Sequence, residues 1–264
     1  MLTSAVLGVV IGLLLALTGA GGGILAVPLL VFGVHLGVAQ AGPIALMAVG
    51  MAAAIGALLG LRAGTVRYKA ALLIAGAGML LSPVGLWLAG RIDNRWLSLV
   101  FAAVLLYVAW KTWRGARGPA STGAPAVAPV CARSPATSRF IWTRPCAVAL
   151  GLSGTVAGFL SGLLGVGGGF VMVPVLKRYT DLTMQSVVAT SLAVIALVSV
   201  TGVAASAASG AVDWNIALPF SGGAIAGMLA GRTVSARLAG PQLQMGFAAI
   251  AAIVALTMIA RAAL

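Results

Sequence analysis

Polar positions in this chain are confined to short clusters, and between them the sequence stays apolar for about 20 residues at a time, the length at which a helix crosses a bilayer's hydrocarbon core. Uncharged runs cover 38–61, 70–90, 184–209 and 242–260. Tyr68, Trp87, Trp96, Trp110, Trp113, Trp142, Tyr179 and Trp214 stand near the ends of such runs, where amphipathic rings anchor at headgroup level. The pattern predicts an all-α, polytopic membrane protein. One segment departs from it. From about Ser4 to Val34 the apolar run is interrupted by Gly19 and Gly21-Gly22-Gly23, with Pro28 about one turn later. Three consecutive glycines weaken a helix, and proline removes a further donor, so the helix is expected to break there. Unpaired backbone is not tolerated against lipid, so the break must face protein or a water-filled cavity.

The same break occurs twice. A shift of 146 residues lays Gly19-Ala20-Gly21-Gly22-Gly23 on Gly165-Val166-Gly167-Gly168-Gly169, and Val27-Pro28 on Val173-Pro174. It also pairs Gly8 and Gly12 with Gly154 and Gly158, Gly56 with Gly202, Gly85 with Gly231, and Phe101-Ala102-Ala103 with Phe247-Ala248-Ala249. Apolar low complexity does not supply ordered glycine and proline landmarks over such a distance, so the chain is an internal duplication. Residues 1–114 form the first transmembrane repeat, 115–143 a flexible linker rich in Pro, Ala, Ser, Thr and Arg, and 144–264 the second repeat. Each repeat is expected to hold one broken segment, re-entrant or a pair of half-helices, followed by three transmembrane helices.

Loop charge bears on topology, because lysine and arginine concentrate on the cytoplasmic side. If each broken segment crosses once, the 16 Lys and Arg divide ten against six. If each returns to its own side, only residues 91, 95 and 261 lie on one face and thirteen lie opposite. The second division predicts outside termini, a cytoplasmic linker and inverted repeats, a recurring transporter design.

Composition narrows the function. With 61% hydrophobic and 7% charged residues and a mean hydropathy of +1.14, water is not the solvent. The net charge of +13 lies in loops and linker without a nucleic-acid-binding motif, so nucleic acid is not an expected partner. The first residues lack a positive n-region and a cleavage site, so the first apolar segment is expected to remain. Cys131 and Cys146 show no metal spacing and are expected to be two reduced thiols without a role. There is no glutamate, Asp93, Asp181 and Asp213 fall in loops, and the lone His35 follows the first broken segment as a solvated residue. No metal site, cofactor or catalytic constellation is supported, and an enzyme is not expected.

Backbone and hydroxyl chemistry remains. A helix that starts just after a glycine run presents free N–H groups and the positive end of its dipole, which suits an anion. Gly21, Gly22 and Gly23 with Gly167, Gly168 and Gly169 are thus candidate paired donor cups, and Pro28 and Pro174 candidate gating or hinge positions. The plainer reading, close helix crossing, is preferred for the ladders Gly154-Gly158-Gly162 and Gly223-Gly227-Gly231. Thr18, Gln40, Ser161, Gln185, Thr190 and Ser191 are candidate substrate-binding side chains, although Ser and Thr in such helices often bond back to the preceding turn.

The paired motifs Gly19 to Pro28 and Gly165 to Pro174 resemble the sulfite exporter TauE/SafE family of membrane permeases, as do Ala189-Thr190-Ser191-Leu192 and the Gly210-x-Val212-Asp213-Trp214 turn. The resemblance covers nearly all of the chain apart from the linker. It implies transport of a small sulfur oxyanion or organosulfonate, such as sulfite, across the inner membrane of a prokaryote. In the first half Pro43-Ile44-Ala45 stands where Ala189-Thr190-Ser191 stands in the second, which speaks against a symmetric hydroxyl site. The expected partners are the anion and the lipid bilayer, with a homo-oligomer left open. The alternatives are a permease for another small anion or metabolite, and a non-transporting membrane scaffold. An enzyme acting on lipid phosphates lacks the acid and base groups it needs.

Overall fold

The computed structural model describes residues 2–117, 131, 143–210, 212–238 and 241–263. The described residues are helical almost throughout. In the first half α1 (Leu2–Thr18) runs into a 3-10 turn (Gly19–Leu25) and α2 (Ala26–Gly33), followed by α3 (Val38–Arg62), α4 (Tyr68–Ala89) and α5 (Asn94–Arg117). In the second half α6 (Arg144–Leu164) and α7 (Gly169–Tyr179) are followed by α8 (Met184–Ala208), α9 (Trp214–Leu238) and α10 (Pro241–Ala263). Both halves therefore hold a glycine break and then three long helices. Helices α3, α4, α6, α8 and residues Asn94–Arg114 of α5 are long and apolar enough to cross a membrane. Leu80, Leu152 and Val200 on their outer faces are each more than 60% exposed, as side chains that meet lipid would be. The expected linker is largely outside the described residues, and its first three positions, 115–117, continue α5.

Each broken segment turns back on itself. A methyl group on Gly33, the last residue of α2, would lie 2.5 Å from Leu7 near the start of α1. In the second half, the amide of Cys131 donates to the Tyr179 carbonyl at 2.9 Å, and Cys131 is disulfide-bonded to Cys146 in the first turn of α6. The end of α7 thus lies at the start of α6. This disulfide corrects the expectation of two free thiols: sequence spacing carries no information on a contact made by folding the linker end onto α6.

Helix pairing follows the duplication. α1 lies along α9, its counterpart α6 lies along α4, α3 crosses α8, and α5 meets α10. The first two pairs are parallel, with Gly154 on Ile74, Gly158 on Gly78 and Gly162 on Ser82, and with Gly223 on Ala5 and Gly227 on Val9. A methyl group on any of these five glycines would overlap the facing backbone carbonyl, so both glycine ladders are close-packing seams, as expected for small-residue interfaces. The self-paired helices are antiparallel: Gly50 meets Ser199, Gly56 meets Leu192 and Gly60 meets Ala189. Helices α3 and α8 form the centre, where Ala45, Ala48, Val49, Ala52, Thr190, Ser191 and Ile195 are fully buried.

Candidate functional site

The two breaks meet at the centre against α3 and α8. A methyl group on Gly23 would lie 3.1 Å from Val49 and 3.3 Å from the Val166 carbonyl oxygen. One on Gly167 would lie 2.8 Å from Ile195, 3.5 Å from Val49 and 3.7 Å from the Ser199 hydroxyl. Val49 thus touches both halves at once. The remaining glycines of the motifs do other work. A methyl group on Gly22 would fall 2.5 Å from the Leu14–Leu15 backbone, and one on Gly168 2.6 Å from the Ala157 carbonyl, so these two glycines close their own hairpins.

The breaks differ in backbone. In the first, Gly19 is left-handed at φ +73°, the chain continues as a 3-10 turn, and the Ala26 amide that opens α2 already donates to Gly23. Gly21 lies within that turn. In the second, Gly165, Gly167 and Gly168 all have φ between 66° and 76°, and α7 starts afresh at Gly169 with no side chain capping it. A new helix start directs amide hydrogens and a positive dipole end outward, whereas a continuing 3-10 turn uses its amides internally. Of the two halves, only the second has a fresh helix start directly after its glycines, at Gly167–Gly169.

Buried hydroxyls without a hydrogen-bond partner occur in both halves, at Ser82 in the first and at Ser161, Ser199 and Ser221 in the second. Ser199 is 3% exposed and Ser161 0%, and neither hydroxyl has a hydrogen-bond partner. The duplication places Ala53 and Leu15 at the equivalent positions of the first half. Leaving a buried hydroxyl unpaired costs about 1–3 kcal/mol, and the Ser199 hydroxyl lies 3.7 Å from where a methyl group on Gly167 would stand. Ser191 lies on the same stripe of α8 as Val188, Ile195 and Ser199, and its hydroxyl donates to the carbonyls of Val187 and Val188, both at 2.9 Å. Thr18 likewise donates back to Leu14 at 2.7 Å.

Other expected side chains stand apart from this cluster. The Thr190 hydroxyl accepts the Arg67 amide at 3.1 Å and so holds the α3–α4 connection. Gln40 and Gln185 are exposed in the first turns of α3 and α8. Pro28 is buried within α2 and Pro174 half-buried within α7, both past the breaks. Sequence reading missed Ser199, Val49, Gly42 and Gly50. Gly42 is the telling one: it stands where the second half has Val188, and it lets Gly165 come against the α3 backbone, while Gly19 meets the Val188 side chain. The signal was present as a glycine without a partner in the repeat.

Comparison with known proteins agrees with this architecture. A family profile described as sulfite exporter TauE/SafE matches residues 4–258. A probable membrane transporter protein of Xylella fastidiosa strain 9a5c is 29% identical over 226 residues, covering 83% of this chain and 79% of the relative. Its counterpart in strain Temecula1 is 28% identical over 236 residues, covering 88% and 83%. The probable membrane transporter protein YunE of Bacillus subtilis is 39% identical over 83 residues, 31% of this chain and 30% of that one. No solved structure matches the chain.

Proposed function

The chain belongs to the sulfite exporter TauE/SafE family and is a multi-pass membrane transporter, and from that premise we propose that it carries a small oxyanion, sulfite or an organosulfonate, past the junction of its two hairpins. One observation supports the reading: the start of α7 after Gly167 and Gly168, without a side-chain cap, lies at the centre of the molecule beside the unpartnered hydroxyl of Ser199. Backbone N–H and hydroxyl groups match the lone pairs of an oxyanion. Hydrogen bonds to a charged partner contribute about 1.5–3 kcal/mol each, net of the water they replace. Asp93, Asp181 and Asp213, the chain's three acidic residues, all lie outside the helices, so no carboxylate within them repels an anion.

The antiparallel pairing of α3 with α8, and the return of each hairpin to its starting end, support inverted repeats with the hairpins entering from opposite faces. In that arrangement, rocking one half against the other about the α3–α8 crossing opens the junction first to one side and then to the other. The thirteen-to-three charge division puts the termini outside and the linker in the cytoplasm. The matched relatives are bacterial, and the membrane we assign is the prokaryotic inner membrane.

Counterflow of radiolabelled sulfite in proteoliposomes tests the proposal. Accumulation driven by internal sulfite or sulfonate, and not by internal chloride, is the expected result. Absence of counterflow with every sulfur oxyanion tried rejects the substrate class.

A further inference from the structure

Away from the hairpin junction, a cavity of about 450 Å³ lies where α2 ends, α5 begins and α10 ends. His35, Asn94, Arg95, Ser98 and Arg261 line it, with Phe32 on its apolar wall. Its charge is not a sample of a generally basic surface. Among the described lysines and arginines only Arg91, Arg95 and Arg261 belong to this end, and two of the three line this one cavity together with the chain's only histidine. Among the described residues no acidic side chain lines it.

Nor is the cluster left over from duplication. The 146-residue shift places Asp181, Pro241 and Gly115 at the positions equivalent to His35, Arg95 and Arg261. Two helices start at this cavity and two end there, so their dipoles largely cancel and the side chains set the field. The site is also braced. The Asn94 side chain accepts the Val38 amide at 2.7 Å, which ties the starts of α3 and α5 together. The Arg261 guanidinium lies 4.9 Å over the Phe32 ring, and such stacking holds a long side chain in place. His35 has φ +59°, a conformation uncommon outside glycine that the surrounding chain must impose.

We infer that this cavity is a second anion site, which binds a sulfate- or phosphate-sized oxyanion through Arg95, Arg261 and His35. The oxyanion arrives either as a free solute or as the phosphate of a lipid headgroup, whose chain the Phe32 wall would accept. The site is separate from the hairpin junction and does not depend on the transport reading.

Equilibrium dialysis of radiolabelled sulfate against the full-length protein in detergent tests the free-solute source. Native mass spectrometry with phosphatidylglycerol tests the lipid source. Arg95→Gln and Arg261→Gln should each weaken one of these ligands by about tenfold or more, as loss of a charge-assisted hydrogen bond does. Arg91→Gln, on the same face but outside the cavity, should change neither, and Ser199→Ala should leave this binding intact, which separates the site from the junction. Arg261→Lys, which keeps the charge, should retain most of the binding and serves if the glutamine variant does not fold. Loss of sulfate alone assigns a free solute, and loss of lipid alone assigns a headgroup. If the wild-type protein binds neither probe, or if both bind the two arginine variants as they bind the wild type, the inference is wrong.

Discussion

Thr190 and Ser199 lie about two and a half turns apart on α8, both buried, with opposite hydrogen-bond status. Thr190 accepts the Arg67 amide, whereas the Ser199 hydroxyl has no partner beside Gly167. Their replacements should therefore separate. Thr190→Val strips an amide of its acceptor and should lower thermal stability, by about 1–3 kcal/mol, with little change in substrate affinity. Ser199→Ala removes an unpaired group, so stability should hold or rise, while KM for sulfite should increase about tenfold if the hydroxyl donates to the anion. Flux assays paired with thermal melts measure both. An unchanged KM in Ser199→Ala would leave the hydroxyl without a transport role. Ser206, whose hydroxyl already donates to the Gly202 carbonyl at 2.8 Å, is the control at which Ala should be silent for transport.

At the level of elements, glycine serves two purposes. In the α4–α6 and α1–α9 seams it brings parallel helices into backbone contact, and this is a packing role. Gly158→Val would drive a branched side chain into the Gly78 backbone, and overpacking of that kind costs about 1–3 kcal/mol or more. The expected result is a marked drop in melting temperature and folded yield in detergent. Gly151→Ala, on the same helix with open space around it, should behave as the parent does. At the α7 start the requirement is conformational: Gly167 and Gly168 have φ +76° and +66°, values that a Cβ makes costly. That pair keeps α6 and α7 as two helices, whereas the first half turns its corner in a 3-10 helix.

For the whole molecule, the antiparallel α3 and α8 put their C-terminal ends at opposite ends of the bundle. Ala63→Cys and Ser209→Cys, in a background with both native cysteines changed to serine, should react with an impermeant maleimide from opposite sides of the membrane. Labelling of both from one side contradicts the inverted arrangement. The native pair reports absolute orientation. The α6 start shares an end with the α4 start, so the proposed cytoplasmic linker would hold Cys131 and Cys146 in a reducing compartment and an outside linker in an oxidising one. Acid-quenched cells, denatured and alkylated, should yield two free thiols. A disulfide already present at the quench puts this end outside and reverses the orientation.

Much of this was legible in the sequence, because it depends on local or periodic properties. Apolar run length sets helix number, the glycine and proline landmarks set both the duplication and the breaks, and loop charge favoured returning hairpins over single crossings. The ladders Gly154-Gly158-Gly162 and Gly223-Gly227-Gly231 were readable because helix spacing puts such residues on one face. Tertiary structure decided what the breaks face. Equivalent glycines acquired different tasks because α3 brings Gly42 to one break and α8 brings Val188 to the other. Ser199 became a site residue only through the α3–α8 crossing, and Thr190, one helical face away, became a loop anchor. The Arg95–Arg261 cavity likewise joins residues far apart in the chain, and the Cys131–Cys146 bond joins two residues 15 apart that no spacing rule pairs. Hydrophobic patterning states which residues avoid water, and it leaves open which buried groups become neighbours, because that depends on how helices of nearly uniform apolarity cross.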